Sequence, residues 1–192
     1  MIFTLTAILA VIAFSSCIFN NEEIDVKENP IPRKVYPEPC TAWGCTVDNV
    51  KKHMSQYQQL AYFDIEPHDV ILPDGTRVSK WIGAYEGINP YSSGNVIDYD
   101  YCFDESSTGL KAVVIDLGQE SLYQLSDIET QLMSGGYSQT GRDIKTGQTF
   151  YSNKETGSQV KLYSLRGTGQ SFTHRKLKFW RLGDDELTWG EN

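Results

Sequence analysis

Two acidic side chains two positions apart are the most direct candidates for chemistry in this sequence. Asp98 and Asp100 flank Tyr99 in a run rich in β-forming residues, and residues two apart in a strand point to the same sheet face. Carboxylates so placed could bind Ca²⁺ or act as an acid pair in hydrolysis. The calcium-binding hand motif would need Gly and Glu where Phe103 and Gly109 stand. We therefore favour a solvated face.

The histidines and the glycine-rich segments lack the partners that catalysis would need. His68 adjoins Asp69, but no second group of metal ligands accompanies the pair, so we interpret it as a surface pair. Residues 167–169 form a Gly-Thr-Gly motif without the strand and helix that surround a phosphate loop, which favours a turn. The Gly-x-Ser-x-Gly, His-Glu-x-x-His and Walker motifs do not occur. We expect no enzymatic activity, no cofactor and no metal.

Aromatic residues give the positive indication of binding. The chain is 12% aromatic and contains 11 tyrosines. Tyrosine and tryptophan offer a large contact area with a polar tip, which suits protein interfaces and sugar stacking, although sheets also use them to cover a core. Trp180 alternates in phase with Lys176 and Lys178, so we expect it to be exposed. The predicted binding surface comprises Trp180, Tyr163, Tyr101 and Trp81.

The chain begins with an uncharged apolar segment over residues 1–16. It is shorter than the ~20 apolar residues of a membrane-spanning helix and is typical of the apolar region of a signal peptide. The sequence Phe14-Ser15-Ser16-Cys17 resembles the lipobox of bacterial lipoproteins, with Phe14 where Leu is usual. The resemblance implies cleavage before Cys17 and attachment of lipid, diacylglycerol and palmitate-like chains, to that residue. No Lys or Arg occurs in residues 1–16, which leaves the true start open. A buried amino-terminal helix is the alternative to a signal peptide.

A polar, proline-containing segment follows Cys17. It contains eight Asn, Asp, Glu and Lys residues up to residue 29 and then prolines at 30, 32, 37 and 39. Such a segment buries too little apolar surface to offset its ordering entropy. We therefore predict a flexible tether over residues 17–39. Glu22 and Glu23 loosely resemble the surface-export signal of Bacteroidetes lipoproteins.

The rest of the sequence repeats one pattern. Thr46 can cap a helix whose apolar positions are Val47, Val50 and Met54, and Ser126 with Glu129 forms a capping box in a second apolar repeat. Runs with a period of two follow each helix. We predict an α+β fold of two tandem units, 40–118 and 119–192, each a helix packed on a three- to four-stranded antiparallel sheet. The alternative is a single α+β domain with accidentally similar halves.

A second resemblance, to a known architecture, rests on the order of the predicted elements and on the dipeptide Trp43-Gly44 before the first capped helix. Over about residues 40–182 the pattern resembles the β-lactamase-inhibitor-protein architecture and the related small lipoproteins of the outer-membrane assembly machinery. The resemblance implies two sheets that offer a concave surface to another macromolecule.

Cysteine count limits the redox chemistry. If Cys17 is lipidated, three thiols remain, an odd number. They are Cys40, Cys45 and Cys102. Cys40 and Cys45 are candidates for a local disulfide, and Cys45 with Cys102 is the alternative. Closing so small a loop removes little entropy from the unfolded chain.

The net charge of the chain and the predicted signal peptide together define the expected class of protein. The chain has 17 Lys and Arg against 25 Asp and Glu, a net charge of −8, and no basic patch, which argues against nucleic acid. We expect a lipoprotein of the bacterial envelope, in the outer membrane and facing the periplasm or the surface, that binds a protein through its sheet. The alternatives are a glycan-binding module and a hydrolase that uses Asp98 and Asp100.

Overall fold

The computed structural model describes residues 33–71, 75, 77–167, 169 and 171–186. The predicted signal peptide (1–16), Cys17 and the tether up to residue 32 lie outside the described residues. So do Glu22 and Glu23.

The described region contains two α-helices and eight strands. The helices are α1 (Val47–Met54) and α2 (Leu125–Ser134), and a 3₁₀ turn (Glu120–Leu122) precedes α2. The strands are β1 (Leu60–Ile71), β2 (Arg77–Ile88), β3 (Val96–Phe103), β4 (Leu110–Gln119), β5 (Ser138–Arg142), β6 (Thr149–Asn153), β7 (Ser158–Leu165) and β8 (His174–Arg181). They form one antiparallel sheet in the order β1-β2-β3-β4-β8-β7-β6-β5.

The prediction of two helix-plus-sheet units was wrong, because the strands of both halves belong to one sheet. The last strand of each half pairs with the other, with Val113 opposite Phe179 and Ile115 opposite Leu177. An unpaired strand edge leaves backbone donors and acceptors without partners, and β4 and β8 satisfy each other's edges. Alternation of side chains predicts the two faces of a strand but not which edges join.

The core lies between one face of this sheet and the helices. Val50 and Met54 of α1 and Ile128 and Leu132 of α2 are buried there. Tyr99 is fully buried, and its hydroxyl donates a hydrogen bond of 2.6 Å to the carbonyl of Pro37. Large aromatic side chains thus fill this face, while their polar tips bond to the surrounding backbone.

The end of the predicted tether is part of this core. Val35 and Tyr36 are buried, and both of their N–H groups donate to Oε1 of Gln131, at 2.6 and 3.2 Å. The Gln131 amide donates in return to the Tyr36 carbonyl at 2.9 Å. Residues 35–39 are therefore not a spacer. The prolines at 37 and 39 favour an extended chain, and the buried amide of Gln131 supplies the bonds that a neighbouring strand would otherwise give.

The helix boundaries match the capping signals in part. Thr46 caps α1, since its hydroxyl accepts from the N–H of Asn49 at 3.2 Å, which confirms that prediction. The second capping box was wrong. Helix α2 begins at Leu125, and Gln124 at the cap makes no side-chain bond to the helix.

Candidate functional site

The two faces of the sheet differ in what covers them. The large core cluster unites the described helices with the face that carries Tyr99 and Tyr101. On the opposite face a small cluster is formed by strand residues alone. We call this second side the helix-free face. Alternation along each strand and the strand register assign to it Phe63, Glu66, His68, Lys80, Ile82, Ala84, Glu86, Ile88, Val96, Asp98, Asp100, Cys102, Ala112, Val114, Asp116, Phe150, Gln159, Lys161, Tyr163, His174, Lys176, Lys178 and Trp180.

A row of three carboxylates crosses the helix-free face. Glu86 on β2, Asp98 on β3 and Asp116 on β4 are successive partners across the strands, and Lys176 on β8 continues the row. Like charges directly opposite one another in a sheet are destabilising. Asp100 is not in line with these three, but it lies on the same face of β3, as its spacing from Asp98 predicts. We call the three aligned carboxylates together with Asp100 the acidic row.

This crowding changes the acidity of two of these groups. Partial burial raises the pKa of Asp98 to about 6, and the neighbouring charges of Glu86, Asp116 and Asp100 add to the shift. Burial also raises the pKa of Asp100, although the positive charge of Lys176 opposes it. Asp98 is therefore partly protonated near neutral pH. A cation that approached the row would favour its ionised form.

Asp116 is the member of the acidic row that is held by several hydrogen bonds and an ion pair. Nδ1 of His174 lies 2.9 Å from both of its oxygens, and Nζ of Lys176 lies 3.3 Å from Oδ2. The N–H of Gly118 donates to Oδ1 at 2.8 Å. The ring of Phe172 stacks on His174 with a centroid distance of 5.0 Å. This Asp116–His174 pair was not predicted, because it depends on the β4–β8 pairing.

Exposed apolar side chains surround the acidic row on strands β1 to β3. Phe63 is 50% exposed, Ile88 57% and Val96 49%. Ile88 and Val96 are direct partners across β2 and β3, next to the pair of Glu86 and Asp98. Phe63 lies opposite Ala84 on the neighbouring strand. This end of the helix-free face therefore combines apolar contact area with negative charge.

The four aromatic residues of the predicted binding surface do not form an exposed surface. Trp180 is 4% exposed, Tyr163 4% and Tyr101 0%, and Trp81 is half-buried against the core cluster. Tyr101 faces the helices, where its hydroxyl accepts from the N–H of Cys40 at 3.2 Å. The expectation that Trp180 is exposed was wrong. It does share a face with Lys176 and Lys178, but the chain after β8 turns back over that face.

The β7–β8 part of the helix-free face is basic and covered. Lys161 and Lys178 are 5% and 0% exposed. Glu186, in the segment that follows β8, forms an ion pair with each. The acidic row thus lies on β2 to β4, while Lys161, Lys176 and Lys178 lie on β7 and β8; Lys80 at the other end of β2 is the exception on the acidic side.

The remaining cysteines are free thiols in the structure. Burial raises the pKa of the Cys45 thiol to about 12, and the nearby Cys40 thiol adds to the shift. Cys102 is buried on the helix-free face, where burial raises its pKa to about 12. The local disulfide stays a prediction, and the two thiols that it would join are neighbours.

Across residues 33–71, 75, 77–167, 169 and 171–186, no group of three or more His, Cys, Asp and Glu side chains has the arrangement of a metal site. Within those residues no helix has the length and apolar character to cross a membrane.

Comparison with protein-family models, with curated proteins and with solved structures gives no match.

Proposed function

We propose that this protein is an exported lipoprotein, anchored at Cys17 in the outer membrane, that binds another protein through strands β1 to β3 without catalysing a reaction. The observation that carries the proposal is the group of Phe63, Ile88 and Val96, exposed around the acidic row on the helix-free face. Exposed apolar side chains bordered by polar groups are typical of interaction sites.

The chemistry of this surface favours a protein partner over the alternatives. Its apolar side chains suit a hydrophobic contact at the centre of an interface, and its carboxylates suit a partner that presents Lys or Arg. The negative charge would repel phosphate. Trp180, the side chain expected to stack on sugars, is buried, so the glycan-binding alternative loses its main support.

Repulsion within the acidic row also favours a role in binding over a face that is only exposed to solvent. Direct opposition of Glu86, Asp98 and Asp116 costs stability in the free protein. A bound cation of the partner would relieve that repulsion and ionise Asp98 fully. Interactions of this kind contribute to the rate of association and to the choice of partner.

Site-specific photocrosslinking in cells tests the proposal. The full-length protein would carry a photoreactive phenylalanine analogue at position 63, 88 or 96. Matched controls would carry it at Met133 on α2 or at Ile144 in the β5–β6 turn, which are 56% and 91% exposed. We expect the three positions on β1 to β3 to crosslink to the same protein and the two controls not to do so. Equal crosslinking from Met133 and Ile144, or none from the helix-free face, would contradict the proposal.

A further inference from the structure

Two lysines lie side by side in the covered part of the helix-free face. Lys161 on β7 and Lys178 on β8 are direct partners across the strands, and they are 5% and 0% exposed. Two ammonium groups in this position repel each other. Burying such charges is unfavourable unless an anion accompanies them.

Glu186 supplies a carboxylate to both lysines. Its Oε1 forms a close ion pair with Nζ of Lys161 and lies 3.6 Å from Nζ of Lys178. The Lys161 ammonium also lies over the ring of Tyr163, 4.6 Å from its centroid. The Glu186 side chain itself is 32% exposed. Glu186 therefore supplies a negative charge next to both buried ammonium groups.

The segment that carries Glu186, residues 183–186, accepts hydrogen bonds from side chains of the sheet. Nε2 of Gln159 donates to the carbonyl of Asp184 at 3.1 Å, and Nε1 of Trp180 donates to the same carbonyl at 3.2 Å. All four residues from 183 to 186 are exposed, so little apolar burial holds them in place. Below them the sheet presents two ammonium groups, an indole N–H and an amide N–H. This set of donors fits a main-chain carbonyl and a carboxylate.

From this geometry we infer that Lys161, Lys178, Gln159 and Trp180 form a binding site for an acidic peptide segment of a protein partner, and that residues 183–186 occupy this site within the same chain. Glu186 is the intramolecular substitute for the partner's carboxylate. The inference rests on the proposed function, since it names a second contact on the same face and the chemistry that this contact would recognise.

A peptide-binding experiment on the full-length protein tests the site. The probe is a labelled, end-capped peptide that copies residues 182–188, Leu-Gly-Asp-Asp-Glu-Leu-Thr, and its binding is followed by fluorescence anisotropy. We expect the Glu186→Gln protein to bind it at least about tenfold more tightly than the wild type, because the internal carboxylate no longer competes. The matched control is Glu155→Gln, an exposed glutamate in the β6–β7 turn, which should bind as the wild type does.

Two further measurements make the test specific for the lysine pair. A peptide in which glutamine replaces the single glutamate, the counterpart of Glu186, should bind the Glu186→Gln protein at least about tenfold more weakly than the parent peptide. Adding Lys178→Met to Glu186→Gln should abolish the gain, and methionine is a substitution that a buried position tolerates.

Three outcomes would overturn the inference. The Glu186→Gln protein could bind both peptides equally, or neither of them. The wild-type protein could form concentration-dependent dimers by exchanging this segment, which would make a second copy the occupant. None of these outcomes affects crosslinking from positions 63, 88 and 96 on β1 to β3, so failure of this site and failure of the proposed function are distinguishable.

Discussion

Replacing Asp98 by asparagine should stabilise the protein at neutral and alkaline pH, although it removes an exposed carboxylate. The folded protein raises the pKa of Asp98 from 3.8 to about 6. Because the folded pKa exceeds the unfolded one, the folded state binds the proton more tightly. The resulting stability is complete below the unfolded pKa and is lost as the pH rises through about 6.

The shift sets the size of the effect. One pKa unit corresponds to about 1.4 kcal/mol, so a shift of this size would represent about 3 kcal/mol for a fully buried group. Asp98 is only partly buried and keeps much of its surface open to solvent, so solvent screening reduces the expected gain of Asp98→Asn to about 1 kcal/mol in the free energy of unfolding. For a chain of this length that corresponds to an increase in Tm of about 2–4 °C.

Urea unfolding of the full-length protein, followed by tryptophan fluorescence at several pH values, measures this effect. We expect Asp98→Asn to be more stable than the wild type at about pH 8 and to lose that advantage at about pH 4, where Asp98 is neutral in both states. A variant that is less stable at pH 8, or that gains equally at every pH, would refute the repulsion argument.

Asp143→Asn is a control of opposite sign. The hydroxyl of Thr146 and the N–H of Lys145 hold the pKa of Asp143 below its ordinary value. Asp143 therefore stabilises the protein above its unfolded pKa, and that contribution is lost as the pH falls through the folded one. We expect Asp143→Asn to lower stability at about pH 8, in contrast to Asp98→Asn.

Three further predictions concern the folded region, the thiols and the anchor. Gln131→Leu should lower the free energy of unfolding by about 2–4 kcal/mol in a urea titration, because it removes the partner of the Val35 and Tyr36 N–H groups and of the Tyr36 carbonyl; a loss below about 0.5 kcal/mol would refute that role. If Cys40 and Cys45 form the predicted disulfide, thiol titration of the unfolded mature protein should find one reactive group, and three groups would exclude the bridge. Cys17→Ala should move the protein from the membrane to the soluble fraction of a cell lysate, and continued membrane retention would contradict the lipid anchor.

Local features of the fold could be predicted from the sequence where neighbouring residues determine them. The apolar spacing of Val47, Val50 and Met54 places one face of α1 in the core, and Thr46 caps that helix. Runs with a period of two predicted hairpin strands. The joining of β4 to β8 could not be predicted, because alternation describes faces and does not identify which strand edges pair.

In the candidate site too, features that depend on neighbouring residues could be predicted, and features that depend on strand pairing could not. That Asp98 and Asp100 share a face follows from their spacing alone. Their opposition to Glu86 and Asp116 depends on strand register, and the Asp116–His174 contact joins residues of two halves of the chain. Trp180 was assigned to the correct face, yet it is buried there against Cys102, Ala112 and Phe150 of other strands and bonds to the segment after β8.

Val35 and Tyr36 illustrate how composition can mislead. Prolines and charges dominate residues 18–39 and indicated a tether, but two buried amides, Gln131 and Asn89, bond to the extended chain at Val35 and Tyr36. A long-range partner of this kind has no signature in the local sequence.

The most direct test of the central claim measures binding of the partner identified by crosslinking to purified variants of the full-length protein. Ile88→Arg changes the most exposed residue of the apolar group, and Ile144→Arg is its control outside the face. We predict that Ile88→Arg raises the Kd by at least about tenfold, as expected for an interface position, while Ile144→Arg leaves the Kd unchanged. Equal Kd values for the wild type and for Ile88→Arg would contradict binding through the helix-free face.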